Sequence, residues 1–190
     1  MRALPALLAA LLAGCASPGA RFYTLSSAPL PAAWSSGLSV AVGPVSVPAA
    51  VDRPEIVVSV GPNRVRIEEY ERWASPLQDE LSRAVAENLA AILATPHVVQ
   101  SPPTLAGDGA YRVAIEVQRF DSVPGESAAL DALWTVRRPH DERTRSGRTT
   151  VRERASGSGY DALAAAHSRA VAQLGRDIAE ALRAFERAAP

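Results

Sequence analysis

The 190-residue chain has no lysine: all 20 basic residues are arginine, and 20 acids bring its formal charge to zero. A balanced charge argues against a nucleic-acid partner, which rewards a basic face, and against attraction to anionic head groups by net charge. The chain has one cysteine, so no disulfide closes within it and the fold must rest on its apolar core. No apolar run reaches the ~20 residues that a membrane-spanning helix needs. The three histidines, His97, His140 and His167, stand apart from one another and from any carboxylate or thiol at metal-ligand spacing. No Gly-x-Ser-x-Gly elbow occurs. "SGSG" at 156–159 reads as a strand-to-helix turn rather than as an anion cradle. Strand alternation puts Glu68 and Glu69 on opposite faces, so they do not form an acid–base pair. No catalytic set, cofactor site or metal site is expected.

What is present begins with "LLAALLAGCAS", residues 7–17, which holds the one cysteine. Arg2 supplies a positive start, an apolar run follows, and small residues precede Cys15, the form of a secretory signal. Leu12-Ala13-Gly14-Cys15 resembles the bacterial lipobox, in which the thiol after the cut takes a diacylglycerol. Residues 1–14 are then expected to be a lipoprotein signal peptide and Cys15 the lipidated residue. Two or more acyl chains give stable anchoring without a spanning helix, at about 0.8 kcal/mol per buried CH₂. Ala16, rather than Asp, follows the cysteine; by resemblance to the sorting of Gram-negative lipoproteins this implies the outer membrane, on its periplasmic face.

Residues 15–37 read as the acylated N-terminus and a Pro- and Ser-rich linker, and residues 38–190 as one domain. Within the linker, "RFYTL" (21–25) offers a further strand to the sheet. "LSVAVGPVSVP" (38–48) alternates as a half-buried strand, interrupted by a bulge or bend at Gly43-Pro44. "EIVVSV" and "RVRIEEY" flank Gly61-Pro62-Asn63 as a hairpin; in its second arm Val65 and Ile67, with Glu69 in line with them, share one face and Arg64, Arg66, Glu68 and Tyr70 the other. "HVVQ" (97–100) is a short strand. "YRVAIEVQRF" (111–120) alternates cleanly, and 128–138 and 148–157 read as its antiparallel partners around a charged, solvated turn.

Two helices are expected. The first starts at Ser75, with Ser75 as cap, Pro76 at the first helical position and Gln78 closing a capping box; Leu77, Leu81, Val85, Leu89 and Ile92 form its apolar stripe. The second runs from about Tyr160 to Phe185 with Leu163, His167, Val171, Leu174, Ile178, Leu182 and Phe185 on one side, where His167 reads as a core histidine. The order strands, helix, strands, helix predicts an α+β fold: a mostly antiparallel or mixed sheet of five to seven strands with both long helices on one face and a wet opposite face. Arg72-Trp73, just before the first helix, reads either as Trp73 packing against the helix start or as a contact for a partner.

The lipobox, "RFYTL", "VGPVSVPAAVDRPEIVV", "NRVRIEEYERWASPLQDELSRAVAENLAAIL" and "YDALAAAHSRAVAQLGRDIAEAL", in that order, resemble the ABC-type transport auxiliary lipoproteins of the PqiC type. The resemblance implies a non-enzymatic docking subunit of an MCE-type system that carries lipid between membranes. It further implies a periplasmic MCE protein as partner and ring-like self-assembly. No catalytic residue is carried over. The alternative in the same compartment is a lipid-binding carrier, which needs an apolar pocket of several hundred Å³.

Overall fold

The computed structural model describes residues 19–27, 37–100, 109–138 and 143–187; Cys15 and His140 lie outside them. The fold is α+β, with two helices packed against sheet. Its strands fall into two sheets. β1 (Arg21–Tyr23), β3 (Glu55–Gly61) and β4 (Arg64–Trp73) form a three-stranded sheet in the order β1-β4-β3. β2 (Val40–Ser46), β5 (Val98–Gln100), β6 (Tyr111–Val123), β7 (Ser127–Arg137) and β8 (Thr144–Arg154) form a five-stranded sheet in the order β5-β2-β6-β7-β8. β2 runs parallel to both its neighbours, while β6, β7 and β8 are antiparallel.

Side-chain alternation is legible in burial. Tyr111, Val113, Ile115 and Val117 of β6 are buried, whereas Arg112, Ala114, Glu116 and Gln118 are exposed on the side without helices. In β2 the ladder shifts register between Val42 and Val45, where the Gly43–Pro44 peptide is cis and Gly43 has φ +128°. β8 begins at Thr144, so the second half of the segment expected as a charged turn is strand. Gly147 lies opposite Trp134 in the β7–β8 pair, and the indole covers it: a Cβ there would sit 2.2 Å from the ring.

α1 (Leu77–Leu93) and α2 (Tyr160–Arg187) lie side by side on the buried face of the five-stranded sheet, α1 over β2 and β5 and α2 over β7 and β8. All seven residues of the expected α2 stripe are buried. The helices approach closely at Gly175, whose position for a Cβ is 3.1 Å from the Asn88 Cβ. The start of α1 differs from expectation. Leu77 is the first helical residue, the cap position is Pro76, and no side chain caps it. The Ser75 hydroxyl instead donates to Glu80 Oε1 at 2.6 Å, and the Gln78 amide donates to Asp52 Oδ2 at 3.2 Å. Donation to the ionised, buried Glu80 carboxylate gives the Ser75 hydroxyl a charge-assisted hydrogen bond. α1 ends at Ala94 in the left-handed region (φ 47°, ψ 46°).

The two sheets meet at an aromatic junction. Trp73, at the end of β4, packs edge-on against Phe120 of β6 and His167 of α2 at centroid distances of 6.0 and 6.1 Å, and Phe120 stacks on His167 at 3.9 Å. Trp73 thereby joins the small sheet to the body of the domain.

Candidate functional site

The segment that follows the expected acylation site is held by three elements of the domain. β1 pairs parallel with the end of β4, setting Arg21 beside Glu71, Phe22 beside Arg72 and Tyr23 beside Trp73. Period two sends Tyr23 inward with Glu71 and Phe22 outward with Arg72, while Arg21 reaches Glu71 from the solvent-exposed rim. Glu71, buried at 4% exposure, accepts from Arg21 Nε at 2.9 and 3.0 Å, from Arg21 Nη2, and from the Tyr23 hydroxyl at 2.6 Å. The Arg21 hydrogen bonds hold the Glu71 carboxyl below the usual carboxylate range, against the opposing effect of burial. Burial, with the hydrogen bond to Glu71, pushes Tyr23 up to about 12. Charge-assisted, two-pronged pairing of this kind fixes geometry as well as charge.

Two residues on, the backbone is fastened to α1. The Leu25 amide donates to Glu80 Oε2 at 2.9 Å, and Arg83 Nη2 donates both to Glu80 Oε2 at 2.7 Å and to the Leu25 carbonyl. Glu80 is 3% exposed and Leu25 fully buried, so one carboxylate serves an amide, the Ser75 hydroxyl and a guanidinium away from water. The Ser26 amide then reaches α2, donating to Ser168 Oγ at 3.1 Å. Residues 21–26 are thus fixed to β4, α1 and α2, and a force on the N-terminus is transmitted to the whole domain.

Of the site residues expected from sequence, Trp73 is buried in the aromatic junction, while Arg72 reaches the surface. Arg72 Nε donates to the Glu69 carbonyl at 3.1 Å, and its Nη2 pairs with Glu55 at 3.4 Å. His97 is exposed at the start of β5, far in function from His167, which is fully buried. His167 Nε2 shares a hydrogen bond of 2.8 Å with Ser122 Oγ, its Nδ1 has no partner among the described residues, and burial lowers its pKa to about 3. It is a neutral packing residue. Glu71, Glu80, Arg83 and Ser168 escape a reading of periodicity. The available signal was Glu80 and Asn88, polar residues in line with Ala84 at helical spacing on a face otherwise apolar.

The surface hollows are open. On the helix-free face of the five-stranded sheet, a groove of about 340 Å³ has Ala41, Pro44 and Ala114 as its floor and Arg112, Arg137 and Thr135 along its sides. Among the described residues no group of three His, Cys, Asp or Glu converges on a metal position, and no helix is long and apolar enough to cross a membrane.

The best-built polar chemistry among the described residues fastens residues 21–26 to the rest of the domain. By sequence comparison the chain belongs to the ABC-type transport auxiliary lipoprotein component family, whose model matches residues 23–179. That family is one of auxiliary transport lipoproteins, not a known enzyme family. No curated protein matches the sequence. Among solved structures, an uncharacterized protein shares the fold with a TM-score of 0.71 at 20% identity, covering 87% of this chain and 99% of its own. A Xanthomonas campestris protein of the DUF330 family superposes with a TM-score of 0.66 at 23% identity, over 84% of this chain and 91% of its own. The PelC dodecamer from Paraburkholderia phytofirmans reaches a TM-score of 0.38 at 16% identity, over 78% of this chain and 89% of its own.

Proposed function

We propose that this chain is an outer-membrane-anchored lipoprotein of the PqiC type, acylated at Cys15, that docks a periplasmic MCE-family protein of an ABC-type lipid transport system and works as a ring of identical copies. The observation that supports this reading best is the fastening of residues 21–26 by Glu71, Glu80 and Ser168. An adaptor has to pass load between an anchor and a partner. Fastening residues 21–26 with charge-assisted hydrogen bonds to buried carboxylates makes the anchor and the body one mechanical unit. A freely swinging catalytic domain would gain nothing from it.

The test is co-purification of the acylated protein with the MCE protein encoded beside it, in cells carrying the wild-type gene or Cys15→Ser. Retention of the MCE protein by the wild type, with Cys15→Ser released from the membrane fraction but still binding, is the expected result. An intact domain that retains no MCE partner overturns the docking role, and a Cys15→Ser protein that still fractionates with membranes overturns the anchor.

The lipid-carrier reading draws on the 340 Å³ groove with its apolar floor and arginine sides. Its test is native mass spectrometry of the purified domain: a co-purifying lipid displaced by Ala114→Asp supports it, and a single apo mass rejects it.

A further inference from the structure

The outward face of the three-stranded sheet carries an exposed apolar patch among polar residues. Register places Val57 opposite Ile67 and Ser59 opposite Val65, Glu55 opposite Arg72, and Phe22 beside Arg72. These residues therefore share one face. Phe22 is 64% exposed, Val65 59% and Ile67 45%. They are three of the five large hydrophobic residues exposed among the described residues. Arg72, which neighbours Phe22, is paired with Glu55, which also pairs with Arg53, and Glu69 is exposed between Ile67 and Arg72.

We infer that this face rests on the bilayer in which the Cys15 acyl chains are inserted; the inference depends on the anchor proposed above. Phe22 is seven residues from Cys15, a span of at most ~25 Å when fully extended. A folded body of this size is about 40 Å across. The tether is too short for the far side of the domain to face the membrane, and β1, which carries Phe22, is the first strand among the described residues. Fastening of residues 21–26 removes the slack that would let the domain roll away. Three side chains cover roughly a few hundred Å², below the ~800 Å² per partner typical of a stable protein interface. Held at a membrane by acyl chains, the same patch needs no affinity of its own, because the anchor keeps it at high local concentration. An aromatic ring, two branched aliphatic side chains and a neighbouring guanidinium suit the head-group boundary.

The experiment uses the acylated full chain in vesicles of phosphatidylethanolamine and phosphatidylglycerol. The acyl group blocks the one native thiol, so Phe22→Cys and Ile67→Cys each add a unique site for a nitroxide, with Leu133→Cys, on the helix-free face of the large sheet, as reference. Mass spectrometry first establishes acylation. Collision with a water-soluble nickel chelate is expected to fall at least threefold at positions 22 and 67 on insertion into vesicles, with collision with oxygen rising, and neither changing at 133. Equal collision rates at all three positions in acylated, vesicle-bound protein overturn the inference and leave the anchor standing. Absence of the acyl group overturns both. Shielding of 22 and 67 that is already present in Cys15→Ser protein without vesicles, accompanied by faster sedimentation, gives the face to a second copy and also overturns it. Position 67 serves should the change at 22 disturb β1, as judged by thermal unfolding.

Discussion

The Glu80 carboxylate accepts a hydrogen bond from the Leu25 amide at 2.9 Å across 55 residues of sequence. This contact fastens the segment beside the expected anchor to the first helix. Its loss strands a buried backbone donor and the Ser75 hydroxyl, while Arg83 keeps the Leu25 carbonyl and Glu87. Glu80→Ala is expected to cost about 1–3 kcal/mol, from unsatisfied buried groups. Trypsin cleavage after Arg21 should then outpace global unfolding. Glu80→Gln, which keeps an acceptor for Leu25, should cost less. Urea midpoints and timed proteolysis check this; unchanged cleavage at Arg21 in Glu80→Ala would show that the contact does not hold the segment.

Glu71 makes part of the fastening sensitive to acid. Its folded-state pKa lies below the value of 4.5 expected for the unfolded chain, chiefly through Arg21. The sign follows from proton binding: the contribution is complete above about pH 4.5 and is lost as pH falls through the lower folded value. Glu71→Gln should flatten this acid limb of a stability–pH curve, while the wild type falls. Parallel curves would assign the limb to other carboxylates.

His167 acts at milder pH. Burial lowers its pKa to about 3, so the folded state holds it neutral while the unfolded chain protonates near pH 6.5. Stability from this group is therefore full above pH 6.5 and declines by about 1.4 kcal/mol per pH unit toward pH 3. Between pH 6.5 and 5 the wild type should lose about 2 kcal/mol, and His167→Gln, which still reaches Ser122, should lose little. Chemical denaturation across this range separates the two.

Gly147→Ala tests the covering of Gly147 by Trp134. The new Cβ would lie 2.2 Å from the ring, forcing the indole away from Thr149, to which it donates at 3.1 Å. Overpacking of this kind costs about 1–3 kcal/mol. A shift in Trp fluorescence should accompany the lower melting temperature; neither changing would mean that the strand moves aside freely.

Ala94→Gly is expected to stabilise the domain. Ala94 has φ 47° and ψ 46° at the end of α1, a conformation that costs an L side chain about 1 kcal/mol and glycine almost nothing. A rise in melting temperature checks it, and a fall would mean that the flexibility added to the unfolded chain outweighs the relief.

The sequence by itself determined the elements and their sides. Tyr111, Val113, Ile115 and Val117 are buried because alternation leaves a strand one apolar face. Leu163 through Phe185 line one side of α2 because a helix repeats every 3.6 residues. The hairpin of β3 and β4 was legible in the same way, and the family through the resemblance of whole segments such as "VGPVSVPAAVDRPEIVV". Tertiary structure decided which faces are covered. Val65 and Ile67 alternate as cleanly as the residues of β6, yet face outward, because the helices pack on the other sheet. Trp73 went into the core and Arg72 to the surface because β4 ends where the two sheets meet. The N-terminal partners of Glu71 and Glu80 lie 48 to 55 residues away along the chain, and Ser26 reaches Ser168 across 142. Local periodicity reports which side a residue takes; only the packing of distant segments determines what waits on that side.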